Sequence, residues 1–328
     1  MSRNPKNKLR EPIPIPEPAP LPDPETIDVS KVYEDYTSGE TDIIVVLGPT
    51  ASGKTRYAVS LAHELNALAG KAVAEIISAD SRQVYTGMDI GTGKDLGEYG
   101  DVPYHLIDIV PAGTRFDLYQ WQQAFEKAYE DIKGRGGIPV LCGGTGLYVE
   151  AATCGYSLPQ VPPNEALREE LETVDMAVLL ERLASYGPLP GEGVLQSKRR
   201  VIRAIEVAEY EKTHPVKRSG FLPKKPYLIG TLVSREVRNE RIDKRLDERL
   251  SEGMVEEVKG LLSSGIPAED LVYYGLEYKF VTQFVLGILS YEEMRSLLAN
   301  AIHQFAKRQM TWFRGMERDG AVIHWTEV

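Results

Sequence analysis

The sequence predicts an α/β fold in which a parallel sheet is flanked by helices and carries a small helical insertion. Short apolar runs alternate with segments of helical periodicity along most of the chain, and this alternation is typical of a parallel sheet with helices on both faces. A glycine-rich turn follows the first apolar run, and residues 155–198 interrupt the alternation. Ligands are expected at the C-terminal ends of the strands.

Each strand is predicted from a short apolar run bounded by turns or helical segments. These runs are IIVVLG (43–48), VAEIIS (73–78), YHLIDIV (104–110), IPVLCGG (138–144) and YLIGTLVS (227–234). The predicted helices are Gly53–Leu68, FDLYQWQQAFEKAYEDIKGRGG (116–137), SKRRVIRAIEVAEYEK (197–212), one long charged helix over 235–265, and Ser290–Met316.

The domain boundaries follow from composition. Proline stands at every second position of residues 12–24, which forbids helix and sheet and favours polyproline II, so residues 1–41 are predicted to be a disordered arm. Residues 42–154 and 199–328 are predicted to form the core. Residues 155–198, with two short helices joined by Pro- and Gly-rich segments, are predicted to be the helical insertion.

Charge and cysteine content narrow the class of protein. The net charge of -10 argues against nonspecific binding along nucleic acid, although Lys198–Lys225 carries nine basic and three acidic residues. That stretch is either a solvated face or a local RNA surface. Cys142 and Cys154 suit neither a disulfide framework nor a metal site, and no apolar run reaches the roughly 18 residues of a membrane span. We expect a cytoplasmic monomer.

The turn after the first strand has the spacing of a phosphate-binding loop. GPTASGKT fits G-x-x-x-x-G-K-[ST] between a strand and a helix, which makes the fold P-loop NTPase-like. Backbone N–H groups and Lys54 would hold phosphates, and Thr55 can reach a magnesium ion. The loop residues are Gly48, Pro49, Thr50, Ala51, Ser52, Gly53, Lys54 and Thr55.

The expected metal-binding aspartate is missing from the fourth strand, which ends in CGGTGLY. Instead, Asp80 follows the second strand, in ISADSRQVY. A carboxylate there could hold magnesium through water or take a proton from an acceptor; otherwise it is a turn former. The loop and Asp80 by themselves indicate a phosphotransferase acting on a small acceptor.

Five stretches form an ordered set: GPTASGKT, ISADSRQVYTGMDIGTGK, HLIDIV, IPVLCGGTGLYVEA and AKRQMTWFR. In this order and with these separations they resemble the tRNA dimethylallyltransferase family, also called tRNA isopentenyltransferases, over nearly all of the chain after Asp42. The resemblance implies transfer of the five-carbon group of dimethylallyl diphosphate to the exocyclic amine (N6) of the adenosine next to the tRNA anticodon, with release of diphosphate.

The resemblance also implies a role for each donor-site residue. The loop would bind diphosphate, with Mg²⁺ near Thr55 and Asp80. Asp80 is similar to the family's general base, Thr145 to its threonine beside the reacting centre, and Arg235 to its arginine directed at the diphosphate. Donors on the diphosphate suit a reaction in which negative charge develops there. The residues expected to be catalytic are Asp80, Thr145, Lys54 and Arg235.

On the RNA side, the resemblance implies that the segment at Asp80 and the insertion contact tRNA, which favours an RNA surface for the basic stretch. The expected tRNA contacts are Asp80, Ser81, Arg82, Gln83, Thr145, Arg168, Arg199, Arg200 and Arg203. The chain departs from the family pattern at Arg199, where a glutamine is usual, and at Glu277, where a glycine precedes tyrosine; GTGKD also replaces GTAKP.

Three other functions stay open at this point. A prenyltransferase acting on free AMP or ATP would have little use for the basic stretch. A small-molecule kinase would need only the loop and Asp80. A nucleotide-binding module without catalytic activity would need the loop alone.

Overall fold

The structure is a computed structural model that describes residues 20–218, 221 and 223–328. Eight strands are found in this part of the chain: β1 Ile43–Leu47, β2 Ala74–Ser78, β3 Tyr85–Thr86, β4 Tyr104–His105, β5 Val110–Pro111, β6 Ile138–Gly143, β7 Pro226–Leu232 and β8 Ile323–Glu327.

Helices connect the strands and make up most of the C-terminal half. They are α1 Val29–Ser38, α2 Lys54–Ala69, α3 Leu118–Gly134, α4 Gly146–Thr153, α5 Glu165–Glu172, α6 Met176–Ala184, α7 Glu192–Leu195, α8 Lys198–Thr213, α9 Arg235–Glu252, α10 Met254–Ser263, α11 Ala268–Tyr273, α12 Leu276–Val285 and α13 Tyr291–Arg318, with a 3₁₀ helix at Leu96–Tyr99.

The main sheet confirms the predicted parallel architecture. Its six strands run in the order β4-β2-β6-β1-β7-β8, and every neighbouring pair is parallel. Leu47 at the end of β1 pairs with Gly143 of β6 and with Gly230 of β7. The C-terminal ends of the central strands therefore meet at one edge of the sheet.

Alternating side chains of β1 divide the core into two layers. Ile43, Val45 and Leu47 pack into the cluster that contains residues of α3, α4 and α9–α13. Ile44 and Val46 pack on the opposite face, with residues of α1 and α2. Because both faces are covered, all five residues of β1 are apolar and buried.

The prediction that residues 1–41 form a disordered arm is wrong for residues 29–38, which form α1. The alternating prolines end at Pro24, and the Asp28 side chain caps the helix by accepting hydrogen bonds from the N–H groups of Ser30 and Lys31. Val32 is fully buried against the sheet layer. The remainder of the proline repeat, up to residue 19, lies outside the described residues.

Helices α5–α8 form a unit, called the helical unit below, that is larger than the predicted insertion 155–198 because it includes α8. Val201, Ile202 and Ile205 of α8 share a separate apolar cluster with leucines of α5 and α6. The sequence alone predicts residues 199–213 to lie in the core, because helical periodicity shows that a face is buried without showing what covers it.

Further elements differ from the prediction. The predicted strand 104–110 is interrupted, because Leu106 and Asp108 have φ angles of 63° and 56°; only Tyr104–His105 joins the main sheet as β4, and Val110–Pro111 pairs with β3 as β5. The long charged helix divides at Gly253, which has a φ of 108° and ends α9 before α10 begins. The chain then adds β8 beside β7 at the edge of the sheet. Within the described part of the chain, no helix is both long and apolar enough to cross a membrane.

A buried carboxylate holds the helical unit together. Glu206 on α8 is 2% exposed and accepts hydrogen bonds from Arg168, Arg203 and the Asn164 N–H. Burial alone would raise the pKa of Glu206, but the hydrogen bonds from Arg168, Asn164 and Arg203 outweigh it and lower the pKa. The ionised carboxylate therefore stabilises the fold, and this stabilisation is lost as pH falls through the lowered pKa.

We expect Glu206→Gln to destabilise the helical unit by about 1–3 kcal/mol at neutral pH, because Arg168 and Arg203 lose their charged partner and the amide cannot accept all of the hydrogen bonds. The difference from wild type should shrink in acid, where Glu206 is protonated. Limited proteolysis of α5–α8 and thermal unfolding across pH would measure this. Glu169→Gln, at an exposed position of α5, is the control; equal effects of the two substitutions would contradict the prediction.

Candidate active site

A cavity of about 580 Å³ opens where the central strands end. The loop after β1 contributes Thr50, Lys54 and Thr55 to its lining, the segment after β2 contributes Asp80, and the turn after β6 contributes Thr145. The strand ends of a parallel sheet are where ligands are expected. Three stretches that are far apart in the sequence therefore line one cavity.

The phosphate loop is shaped by close packing and left-handed backbone. A Cβ on Gly48 would lie 2.2 Å from Oγ1 of Thr231 on β7, so only glycine fits. Ala51 and Gly53 have φ angles of 61° and 83°. The buried Ser52 hydroxyl pairs with the Thr231 hydroxyl at 2.6 Å. These contacts leave Lys54 and Thr55 at the start of α2, facing the cavity.

The pKa of Lys54 is lowered, because burial disfavours its charged form. The nearby carboxylate of Asp80 opposes this shift without outweighing it. A desolvated ammonium group at this place attracts a multiply charged anion more strongly than one in water. The N-terminus of α2 adds partial positive charge. The loop is therefore suited to a phosphate or diphosphate group.

Gln309 on α13 joins this loop to the turn after β6. Its Oε1 accepts the Thr50 N–H at 2.8 Å, and its Nε2 donates to the Gly144 carbonyl at 2.8 Å. The side chain is 7% exposed. The sequence predicts no role for Gln309, although it lies in the AKRQMTWFR stretch. One amide therefore sets the spacing between the phosphate loop and the residue before Thr145.

Asp80 and Thr145 are held beside each other by backbone contacts. Asp80 Oδ1 accepts the Arg82 N–H at 2.8 Å, and the Ser81 N–H donates to Oγ1 of Thr145 at 3.4 Å. Thr145 occupies the N-cap position of α4, and its side chain makes no capping hydrogen bond. Asp80 is therefore a turn former that also lines the cavity.

The structure does not bring Arg235 to the phosphate loop. Arg235 is the exposed first residue of α9 and is absent from the cavity lining, whereas Arg245 and Arg249 of the same helix line it. They stand four residues apart and share one face of α9. The predicted role of Arg235 therefore has no support from its position, since later turns of α9 and not its first residue line the cavity.

The GTGKD stretch explains the position of Arg249. A Cβ on Gly93, which has a φ of 62°, would lie 1.6 Å from Nη2 of Arg249, and one on Gly91 would lie 2.7 Å from the ring of Tyr278. Arg245 also pairs with Asp95. The glycines therefore let α9 and α12 approach the loop directly.

We expect Gly93→Ala to lower kcat about 10²-fold, because the methyl group would displace the Arg249 guanidinium from the cavity. Steady-state kinetics with a thermal unfolding curve would measure this. Gly97→Ala is the control, since a Cβ at Gly97 meets no atom within 4 Å. Unchanged kcat in a folded Gly93→Ala protein would contradict the prediction.

Glu277 lines the cavity at a position where the family that the sequence resembles usually has glycine. Burial raises the pKa of its carboxyl group, and attraction to Arg249 opposes that shift. The carboxyl group therefore lies among the arginines of the site and changes its charge balance. The departure noted in the sequence falls on the cavity itself and is not confined to an RNA surface.

The predicted tRNA contacts divide into two groups. Ser81, Arg82 and Gln83 line the cavity, although the Gln83 amide already bonds the Gly93 carbonyl and the Ser78 hydroxyl. The predicted arginines of the helical unit lie outside the cavity lining. Arg168 and Arg203 donate hydrogen bonds to Glu206, and Arg200 donates to the Gly193 carbonyl. Arg199 is exposed.

The oxygen atoms available to a metal are few. The described residues contain no group of three or more His, Cys, Asp or Glu that could hold an ion. The Thr55 hydroxyl and the Asp80 carboxylate do line the same cavity. This set suits Mg²⁺, which commonly takes one or two protein oxygens and completes its shell with water and substrate phosphates.

Comparison with known proteins gives a consistent result. A family model described as IPP transferase matches residues 83–316. The chain is 56% identical to tRNA dimethylallyltransferase 2 of Porphyromonas gingivalis over 87% of this chain and 93% of that protein. It is 51% identical to tRNA dimethylallyltransferase 1 of Parabacteroides distasonis over 87% of this chain and 92% of that protein.

A solved structure is also similar. The tRNA isopentenylpyrophosphate transferase of Bacillus halodurans superposes with a TM-score of 0.63 at 34% identity, covering 87% of this chain and 89% of that one. The similarity therefore extends over the sheet, the helical unit and the C-terminal helices together.

Proposed function

Because this chain belongs to the IPP transferase family, we propose that it transfers the dimethylallyl group of dimethylallyl diphosphate to N6 of the adenosine next to the anticodon of a tRNA. One observation carries the proposal: the phosphate loop, Asp80 and Thr145 line a single cavity, and β6 leads into Gly144 and Thr145 where a motor or switch ATPase would have an aspartate. The loop thus holds a leaving group.

In the proposed reaction, the N6 amine attacks C1 of the dimethylallyl group. The C1–O bond breaks, and the electron pair leaves with diphosphate. The amine proton passes to the carboxylate of Asp80, which lines the same chamber. The adenine lone pair is delocalised into the ring, so a positioned base should contribute about 10²–10⁴-fold.

The diphosphate needs compensation for the charge it gains. Lys54, the loop N–H groups and the start of α2 supply it from one side, and Arg245 and Arg249 of α9 from another. The Thr145 hydroxyl is available to the bridging oxygen. Mg²⁺, when bound by Thr55, Asp80 and the donor's own oxygens, would neutralise part of the phosphate charge.

The acceptor in this proposal is a base of a single-stranded RNA loop. A base flipped from an anticodon loop costs less to unstack than one in a duplex, and it would enter beside Ser81 and Arg82. The relatives named above act on tRNA according to their names. The proposal places the enzyme in the cytoplasm with its tRNA substrate, acting as a monomer.

The test uses purified protein, Mg²⁺ and dimethylallyl diphosphate labelled in the prenyl group, offered in parallel an anticodon stem-loop, AMP and ATP. We expect label only on the stem-loop, at N6 of the adenosine beside the anticodon. Label on AMP or ATP with none on RNA would instead establish a nucleotide prenyltransferase. Release of ADP dependent on an acceptor would establish a kinase.

A further inference from the structure

The rim of the cavity carries exposed aromatic rings beside cations. Tyr273 at the end of α11 and Phe305 on α13 line the cavity, yet each is 39% exposed. The guanidinium carbons of Arg82 and Arg115 lie 5.8 and 5.2 Å from the centre of the Tyr273 ring. That of Arg308 lies 5.9 Å from the centre of the Phe305 ring. Aromatic surface and positive charge are therefore interleaved at the rim.

The charge of this surface is opposite to that of the whole chain. Six lysines and arginines and only two carboxylates line the cavity, whereas the chain carries a net charge of -10. Besides Lys54, Arg245 and Arg249 of the proposed diphosphate site, this set includes Arg82 and Arg308, which lie beside the exposed rings. A partner that fits both features carries negative charge and flat apolar rings together.

We propose that Tyr273 and Phe305 form a stacking site for the unpaired nucleobases that flank the target base, with Arg82 and Arg308 beside the phosphates. The inference rests on the proposed function, because it takes a single-stranded RNA loop as the acceptor. Every base has a π face that stacks on an aromatic ring, and arginines neutralise the backbone between bases. An acidic peptide would supply charge without the flat rings.

Phe305 lies on the same helix as Gln309, which bonds the phosphate loop. Phe305 precedes Gln309 by four residues on α13, so the two side chains occupy the same helix face. Gln309 bonds the phosphate loop, while Phe305 remains open to solvent. Stacking on Phe305 would therefore hold the RNA against the helix that positions the donor loop.

The experiment measures binding and transfer separately. Anticodon stem-loops carrying 2-aminopurine on either side of the target adenosine would be titrated with wild type, Phe305→Ala and Tyr273→Ala, and the KM for dimethylallyl diphosphate would be measured alongside. We expect quenching of 2-aminopurine by wild type, a Kd for the stem-loop raised about tenfold or more by each alanine, and an unchanged KM for the donor. Phe305→Trp should restore binding.

Tyr291→Ala is the matched control, since Tyr291 begins the same helix, is 42% exposed and does not line the cavity. Alanine variants that bind the stem-loop as tightly as this control, or a wild type that binds it without quenching, would overturn the stacking site. Weakened binding in the variants supports the stacking site even if no prenyl transfer occurs. Absence of prenyl transfer would contradict the proposed function and leave the stacking site unaffected.

Discussion

Asp80→Asn should lower kcat by about 10²–10⁴-fold, the usual contribution of a general base. The substitution removes the base and keeps the turn, because an asparagine Oδ1 can still accept the Arg82 N–H that Asp80 accepts at 2.8 Å. The Kd for the anticodon stem-loop should therefore stay within a few fold of wild type. Single-turnover transfer at saturating RNA and donor isolates the chemical step.

Asp80→Ala should be worse than Asp80→Asn, since it also removes the turn contact. Recovery of the Asn variant at high Mg²⁺ would assign Asp80 to the metal in place of the proton. Asp101→Asn serves as the control, because the Asp101 side chain is 86% exposed and lies outside the cavity lining. An Asn variant that retains wild-type kcat would exclude Asp80 as the base.

Gln309→Leu should lower kcat about 10²-fold and also destabilise the fold. The substitution leaves the Thr50 N–H and the Gly144 carbonyl without a partner, at about 1–3 kcal/mol for each buried group. The larger effect on rate is expected because the phosphate loop and Thr145 lose their fixed spacing, and displacements of about 1 Å cost about 10²-fold. Chemical unfolding and steady-state kinetics measure the two effects.

A second buried glutamine separates stability from catalysis. Gln122 on α3 donates to the carbonyl groups of Ala151 and Tyr156 and lies outside the cavity lining. Gln122→Leu should destabilise the protein with kcat almost unchanged. Gln309→Glu, which can still accept from Thr50 but cannot donate when ionised, should fall between wild type and Gln309→Leu. If the two leucine variants lose stability equally and neither loses kcat, Gln309 has no positioning role.

Much of the fold could be predicted because its signals are local. The apolar runs that became β1, β2 and β6 are continuous in sequence, and the spacing of Gly48, Gly53 and Lys54 is a property of one short loop. The helix at 29–38 was missed because a proline repeat precedes it, and β8 because a five-residue strand at the end of the chain has no flanking pattern.

The sequence by itself determined the parallel sheet, the phosphate loop and the segment that carries Asp80. Only the tertiary structure decided what surrounds them: Arg245 and Arg249 in place of Arg235, Glu277 among those arginines, and Gln309 between two loops. The two hydrogen bonds of Gln309 span 259 and 165 residues. Helical periodicity specifies that a face is buried, but the partner of a side chain depends on how distant elements pack, and that information is not local.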